Sequence, residues 1–172
     1  MARNLIGPRM NHDSYPDAYV KAILDTTKTI AMVGASANWN RPSYFAMKYL
    51  QGKGYRVLPV NPRAAGQTIL GETCVANLHE LADRVDMVDI FRNSDAAAAI
   101  VDEALAMSPR PRTIWMQLGV RNDAAARHAE SEGLQVVMNR CPKIEYARLN
   151  GELGWQGLNS RVISSKRRKL AS

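Results

Sequence analysis

Residues 29–63 read TIAMVGASANWNRPSYFAMKYLQGKGYRVLPVNPR, and this stretch decides the fold. Thr29–Val33 is a short apolar run without polar alternation, the pattern of a strand covered on both faces. Gly34 ends it. Pro42 suits the first position of a helix, because its ring presets φ and its missing N–H would have no partner there anyway. That helix is expected to carry Phe45, Met47, Tyr49 and Leu50 on its apolar stripe and to stop at Gly52. Tyr55–Val60 is a second strand-like run, closed by Asn61 and Pro62. Strand, helix and strand in so short a span make one βαβ unit, which is right-handed with parallel strands.

The alternation continues outward in both directions. Upstream, Asp13, Ser14 and Pro16 form a helix start signal ahead of a stripe of Val20, Ile23 and Leu24. Downstream, a small strand or turn falls near Thr68–Leu70, and Asn77 is expected to cap a short helix with Leu78 and Leu81. Val85–Phe91 reads as a strand, and Ser94 or Asp95 as the cap of a helix carrying Ile100, Val101 and Leu105. Thr113–Leu118 is the next strand, Asn122 caps a helix closed by Gly133, and Leu134–Met138 is the last strand. Residues 143–149 add a final helical turn. The pattern predicts an α/β, Rossmann-like, doubly wound and mostly parallel sheet of about five strands, with helices on both faces. The domain spans residues 1–150, and residues 151–172 read as a C-terminal appendage with a basic tail. An eightfold barrel needs about 250 residues, and the chain has 172.

Composition narrows the class. Hydrophobic residues make up 46% and charged residues 23%, a globular balance that excludes a disordered chain. The beginning of the chain lacks the apolar core of a secretory signal, and no apolar run is long enough to cross a membrane, so a cytoplasmic protein is expected. Cys74 and Cys141 stand far apart, which suggests neither a disulfide framework nor a zinc site. The net charge is +7, of which Lys166, Arg167, Arg168 and Lys169 carry four, leaving +3 for the remainder. A short tail without interleaved aromatics reads as solvated rather than as a nucleic-acid arm. A basic body favours a phosphorylated small ligand.

In an open parallel sheet, ligands bind beyond the carboxyl ends of the strands. The residues that helix and strand patterning leaves unexplained collect there. They are Gly34, Ala35, Ser36, Arg41, Pro42 and Ser43 after the first strand; Val60, Asn61, Pro62 and Arg63 at the second; Phe91 and Arg92 at the third; Gln117 and Gly119 at the fourth; and Asn139, Arg140 and Cys141 at the fifth. Gly34 allows a tight turn, small neighbours let backbone amides approach an anion, and the following helix presents its positive end. Ser36 and Ser43 add hydroxyls, and Arg41 adds a charged fork. The second and third glycines of the dinucleotide fingerprint are absent. The second strand ends in Arg63 rather than in the carboxylate that holds an NAD ribose, which suits a ribose bearing an extra phosphate, as in NADP or coenzyme A. Asp86 and Asp89 read as partners for nearby arginines. No nucleophile with a base is evident, so no catalytic residue and no metal site is assigned.

Together, VGAS (33–36), RPSY (41–44), GYRVLPVNPR (54–63), VDIFR (88–92), WMQLGVRN (115–122) and NRCPKIEY (139–146) resemble the small stand-alone coenzyme A-binding protein family, over roughly residues 16–149. That family is similar to the N-terminal nucleotide-binding domain of the succinyl-coenzyme A synthetase α subunit. The resemblance implies that Gly34, Ala35, Ser36, Arg41 and Ser43 hold the pyrophosphate. It implies that Val60 to Arg63 flank the adenosine and its 3′-phosphate, with Phe91 and Arg92 across the cleft. Gln117, Gly119 and Asn139 would line the pantetheine path. Cys141, a thiol near a strand end, reads first as a small buried packing group; a mixed disulfide is the natural hypothesis only if it faces the pantetheine thiol. The synthetase's phosphorylated histidine lies in a second domain, and His12, His79 and His128 fall outside every candidate loop. Non-catalytic binding of coenzyme A or a short acyl derivative is therefore expected. The rivals are an NADP-dependent oxidoreductase and an interaction module that uses the fold without a ligand. Trp39 and Trp155 are candidate contacts for a protein partner that the sequence does not identify.

Overall fold

The computed structural model describes residues 9–152. The basic run Lys166–Lys169 and Trp155 lie outside the described residues. Seven strands and five α-helices follow one another as α1 (Asp17–Thr26), β1 (Thr29–Val33), α2 (Pro42–Gly52), β2 (Arg56–Val60), β3 (Thr68–Ile69), β4 (Glu72–Thr73), β5 (Met87–Ile90), α3 (Ala97–Leu105), β6 (Thr113–Met116), α4 (Asp123–Ser131), β7 (Gln135–Val137) and α5 (Pro142–Leu149). Five strands form one parallel sheet in the order β2-β1-β5-β6-β7, and β3 and β4 form a small antiparallel hairpin. This is the expected doubly wound α/β architecture.

Two apolar clusters cover the two faces. One joins Val88, Ile90, Ile114 and Val136 to α3 and α4. The other joins Ile30, Met32, Met87, Trp115 and Val137 to α1 and α2, with Tyr146 and Leu149 of α5 packed against it. Trp115 is fully buried, and its indole N–H donates to the Arg140 carbonyl at 2.9 Å, which fixes the approach to α5. The Tyr55 hydroxyl donates to the Leu24 carbonyl at 2.7 Å and ties α1 to the start of β2.

Several local expectations need correction. Phe45 is 49% exposed, and α2 instead buries Ser43, Ala46, Met47 and Leu50. The spacing 43-46-47-50 is the helical stripe, and Phe45 is hydrophobic but out of phase with it. Neither Ser94 nor Asp95 caps the third helix. The Asn93 side chain accepts from the Ala96 N–H, a short 3₁₀ turn leads into α3, and the Ser94 hydroxyl is taken by the Arg121 N–H. Asn77 introduces only a 3₁₀ turn. Residues 143–149 belong to a regular helix that Pro142 opens, rather than to a single turn.

Asp86 and Asp89 part company. Asp86 accepts from the Lys28 and Thr29 backbone N–H groups and pairs with Arg112 at 3.3 Å, as expected of a partner for an arginine. Asp89 does not. It sits in mid-strand between Met32 and Trp115, is fully buried, and neither carboxyl oxygen has a partner among the described residues. Burial pushes its pKa well above the ordinary carboxylate range, so the folded protein keeps it as a neutral acid. The unfolded chain releases that proton above about pH 3.9, and folding must take it back. Asp89 therefore lowers stability increasingly as pH rises, by up to about 1.4 kcal/mol per unit until the folded pKa is reached. Urea denaturation of wild type and Asp89→Leu from pH 5 to 8 is expected to show the variant gaining on wild type at each step. A gap that stays constant with pH would contradict a buried neutral acid.

Candidate functional site

The strand order reverses between β1 and β5, because the chain runs outward from β1 to β2 and then returns to the other side. The loops leaving those strands diverge, and a crevice opens at the carboxyl edge. Gly34 stands at its base with φ +92°, a left-handed conformation that side chains disfavour. A Cβ added there would lie 2.5 Å from the Phe91 carbonyl oxygen. The Gly34 N–H donates to Val60 at 2.8 Å, and the Phe91 N–H donates to Val33 at 2.8 Å, so the sheet ladder continues past the strand ends on both sides.

A cavity of about 550 Å³ fills this crevice. Eight of the expected residues line it: Gly34, Ser36, Arg41, Pro42, Ser43, Asn61, Arg63 and Phe91. Asn61 organises two walls at once. Its amide donates to the Ala35 carbonyl at 2.8 Å, while its carbonyl accepts from the Arg63 N–H at 3.0 Å. Ser36 accepts from the Asn38 N–H at 3.1 Å, shaping the loop that leads to α2. No side chain caps the first turn of α2, which leaves its positive end open toward the cavity. Ser43 is 3% exposed, and its hydroxyl has no partner among the described residues. The Arg41 and Arg63 side chains are exposed and form no ion pair among the described residues.

The other expected residues take different places. Ala35 and Val60 are core residues outside the cavity lining, and their carbonyls accept from the Asn61 amide and the Gly34 N–H. Pro62 opens a 3₁₀ turn beneath Arg63 and is exposed. Arg92 is exposed outside the cavity, and its aliphatic Cδ lies 3.1 Å from where a Gly34 Cβ would stand. Gln117 follows β6, half-buried, and its side-chain oxygen lacks a partner. Gly119 has φ +87° and donates to the Asn139 side chain at 2.8 Å. Ala37, Asn38, Ala64 and Gln67 also line the cavity and were not anticipated. The last two come from the excursion between β2 and β5, whose return to the sheet edge at Val75 the sequence does not announce.

A second cavity of about 730 Å³ opens farther along the same edge. It brings Asn139, Arg140, Cys141 and Glu145 together with Tyr15 and Leu118. The N-terminal segment forms its outer wall, and Asp13 does not serve helix capping but pairs with Arg121 at 2.6 Å. His12 is held by Glu130 at 2.9 Å and by the Tyr15 hydroxyl at 2.7 Å, a largely buried tie outside the first cavity.

Replacing Gly34 with alanine forces a Cβ into the Phe91 carbonyl and a left-handed backbone on a side chain. The variant is expected to lose at least about 2 kcal/mol of stability. Gly54→Ala, also at positive φ but with nothing within 4 Å of the added Cβ, is expected to lose less. Thermal melts of the two variants check the difference.

Residues 28–147 match the family model described as a CoA binding domain. The chain is similar to the protein YneT of Bacillus subtilis, with 33% identity over 130 residues that cover 76% of this chain and 93% of that one. Among solved structures, a Thermus thermophilus protein is 38% identical with a TM-score of 0.74, covering 78% of this chain and 99% of its own. A Pyrococcus horikoshii protein is 32% identical with a TM-score of 0.75, covering 85% of this chain and all of its own. The crevice at the strand-order reversal, its open helix terminus and these likenesses agree: the chain belongs to the CoA-binding domain family.

Proposed function

We propose that this protein is a non-catalytic receptor for coenzyme A or a short acyl-coenzyme A, gripped through the 3′-phosphorylated adenosine diphosphate. The observation that carries the reading is Ser43. A hydroxyl this buried, without a partner and lining a cavity, is an unmet donor at the mouth of a helix, where backbone amides and dipole favour a diphosphate. Arg41 reinforces that charge from the same wall. Arg63 stands at the end of β2, where a ribose-bound phosphate would lie, and the absence of a carboxylate there argues against a bare ribose. No histidine lines this cavity. Membership of the CoA-binding domain family supports the ligand, and the charged lining supports how it is held.

Titration calorimetry separates this reading from its rivals. Coenzyme A is expected to bind, and dephospho-coenzyme A to bind more weakly. Arg63→Ala should weaken coenzyme A roughly ten- to hundredfold while leaving dephospho-coenzyme A nearly unchanged, because a charge-assisted contact contributes about 1.5–3 kcal/mol. Ser43→Ala should weaken both ligands by about 1 kcal/mol, roughly fivefold. Tight binding of NADPH with no heat from coenzyme A would replace the proposal with the oxidoreductase reading. Equal affinity for the two coenzyme A forms would remove the role given to Arg63.

A further inference from the structure

We propose that Tyr15 and Tyr19 guard the free edge of the sheet: their hydroxyls stand where a further strand would pair, and they keep β7 from joining β7 of a second copy of this chain. β7 is the outermost strand on its side and pairs with β6 alone. The Gln135 N–H donates inward, to the Arg112 carbonyl at 2.9 Å, and Val137 lies opposite Trp115 in β6. Alternate residues of a strand serve opposite neighbours, so Val136 and Met138 turn their backbone groups outward. Left bare, such a row is a template for strand addition.

The row is not bare. The Tyr19 hydroxyl donates to the Val136 carbonyl at 3.0 Å and accepts from the Val136 N–H at 3.2 Å. The Tyr15 hydroxyl accepts from the Met138 N–H at 2.8 Å. Two phenols thus do for this edge what the backbone of a neighbouring strand would do. Burial raises the pKa of both hydroxyls, that of Tyr19 to about 12, so the Val136 carbonyl keeps its donor at neutral pH.

The guard is clamped from several sides. The two rings stack with centroids 5.9 Å apart. The Arg140 guanidinium lies 5.2 Å over the Tyr15 ring and donates to the Asp13 carbonyl at 3.3 Å. Asp13 pairs with Arg121 ahead of α4, and His12 with Glu130 within α4. The opposite edge is closed differently. Pro59 of β2 has no N–H, its carbonyl accepts from the Val75 N–H at 3.2 Å, and the Asn61 N–H donates to the Val75 carbonyl at 2.8 Å.

The excluded occupant is a second copy because the outward groups are self-complementary. A two-fold axis at Val137 sets Val136 of one copy opposite Met138 of the other, and such an antiparallel pair exchanges N–H···O bonds in both directions.

Hydrogen exchange and light scattering on the full chain test the guard. Tyr19→Phe is expected to speed amide exchange at Val136, and Tyr15→Phe at Met138, each by about tenfold, with little change at Gln135. With both tyrosines replaced by alanine, the mass should double as concentration rises. Exchange at Val136 and Met138, fast in the dilute sample, should slow again in the concentrated one. Wild type should show no such rise, and an equal rise there would overturn the proposal. Association that leaves those two amides fast places the contact elsewhere and also overturns it. So does an alanine pair that is folded by circular dichroism yet keeps the wild-type mass throughout. Should the alanine pair not fold, the phenylalanine pair decides: faster exchange at both amides with a concentration-dependent mass supports the guard, and wild-type behaviour in either readout overturns it.

Discussion

The approach of Gly34 to the Phe91 carbonyl is the constraint on which the site depends. At that point the turn out of β1 passes so close to the end of β5 that a methyl group would overlap the carbonyl oxygen. The ladder bonds from Gly34 to Val60 and from Phe91 to Val33 hold three strand ends in register just where the connections diverge. The crevice is thus narrow at its floor and open above, and α2 begins at its lip with an uncapped first turn. Pro42 has no N–H and the Tyr44 and Phe45 N–H groups donate to the Arg41 carbonyl, so it is Ser43 that brings a first-turn amide to the border of the polar cavity.

Two buried groups without partners show how position decides meaning. Asp89 and Ser43 are both sealed from solvent, and neither finds a hydrogen bond among the described residues. Asp89 lies in mid-strand between apolar neighbours and meets its isolation by keeping a proton, at a cost in stability above acidic pH. Ser43 borders a cavity, so a ligand oxygen can supply what the fold does not. The same rule about buried polar groups yields a stability liability in one place and, under the function proposed above, a ligand contact in the other.

Asn61 explains why the walls stay put. Its side chain bridges the Ala35 carbonyl on the β1 side and the Arg63 N–H on the β2 side, so two loops of different strands share one amide. At the far end of the edge, Trp115 and Tyr15 do comparable work, anchoring the Arg140 carbonyl and the Met138 N–H. The rigid sheet thereby carries a row of loop residues, each held by a side chain from a neighbouring segment.

Much of this was legible in the chain. Unbroken apolar runs, Pro42 at a helix start and the regular alternation of strand and helix define a parallel α/β sheet through local sterics and burial alone. For the same reason the residues left over at strand ends could be singled out, and eight of them do line one cavity. What the sequence could not contain is which strands become neighbours: the reversal between β1 and β5, the return of Val75 to the edge of β2, and the isolation of Asp89. An aspartate beside arginines in sequence looks like an ion pair, yet strand alternation sends it to the apolar face while Arg92 goes to solvent. Local chemistry selects the elements, because propensity and period act over a few residues. Only long-range packing decides which loops meet, because that depends on contacts between residues far apart in the chain.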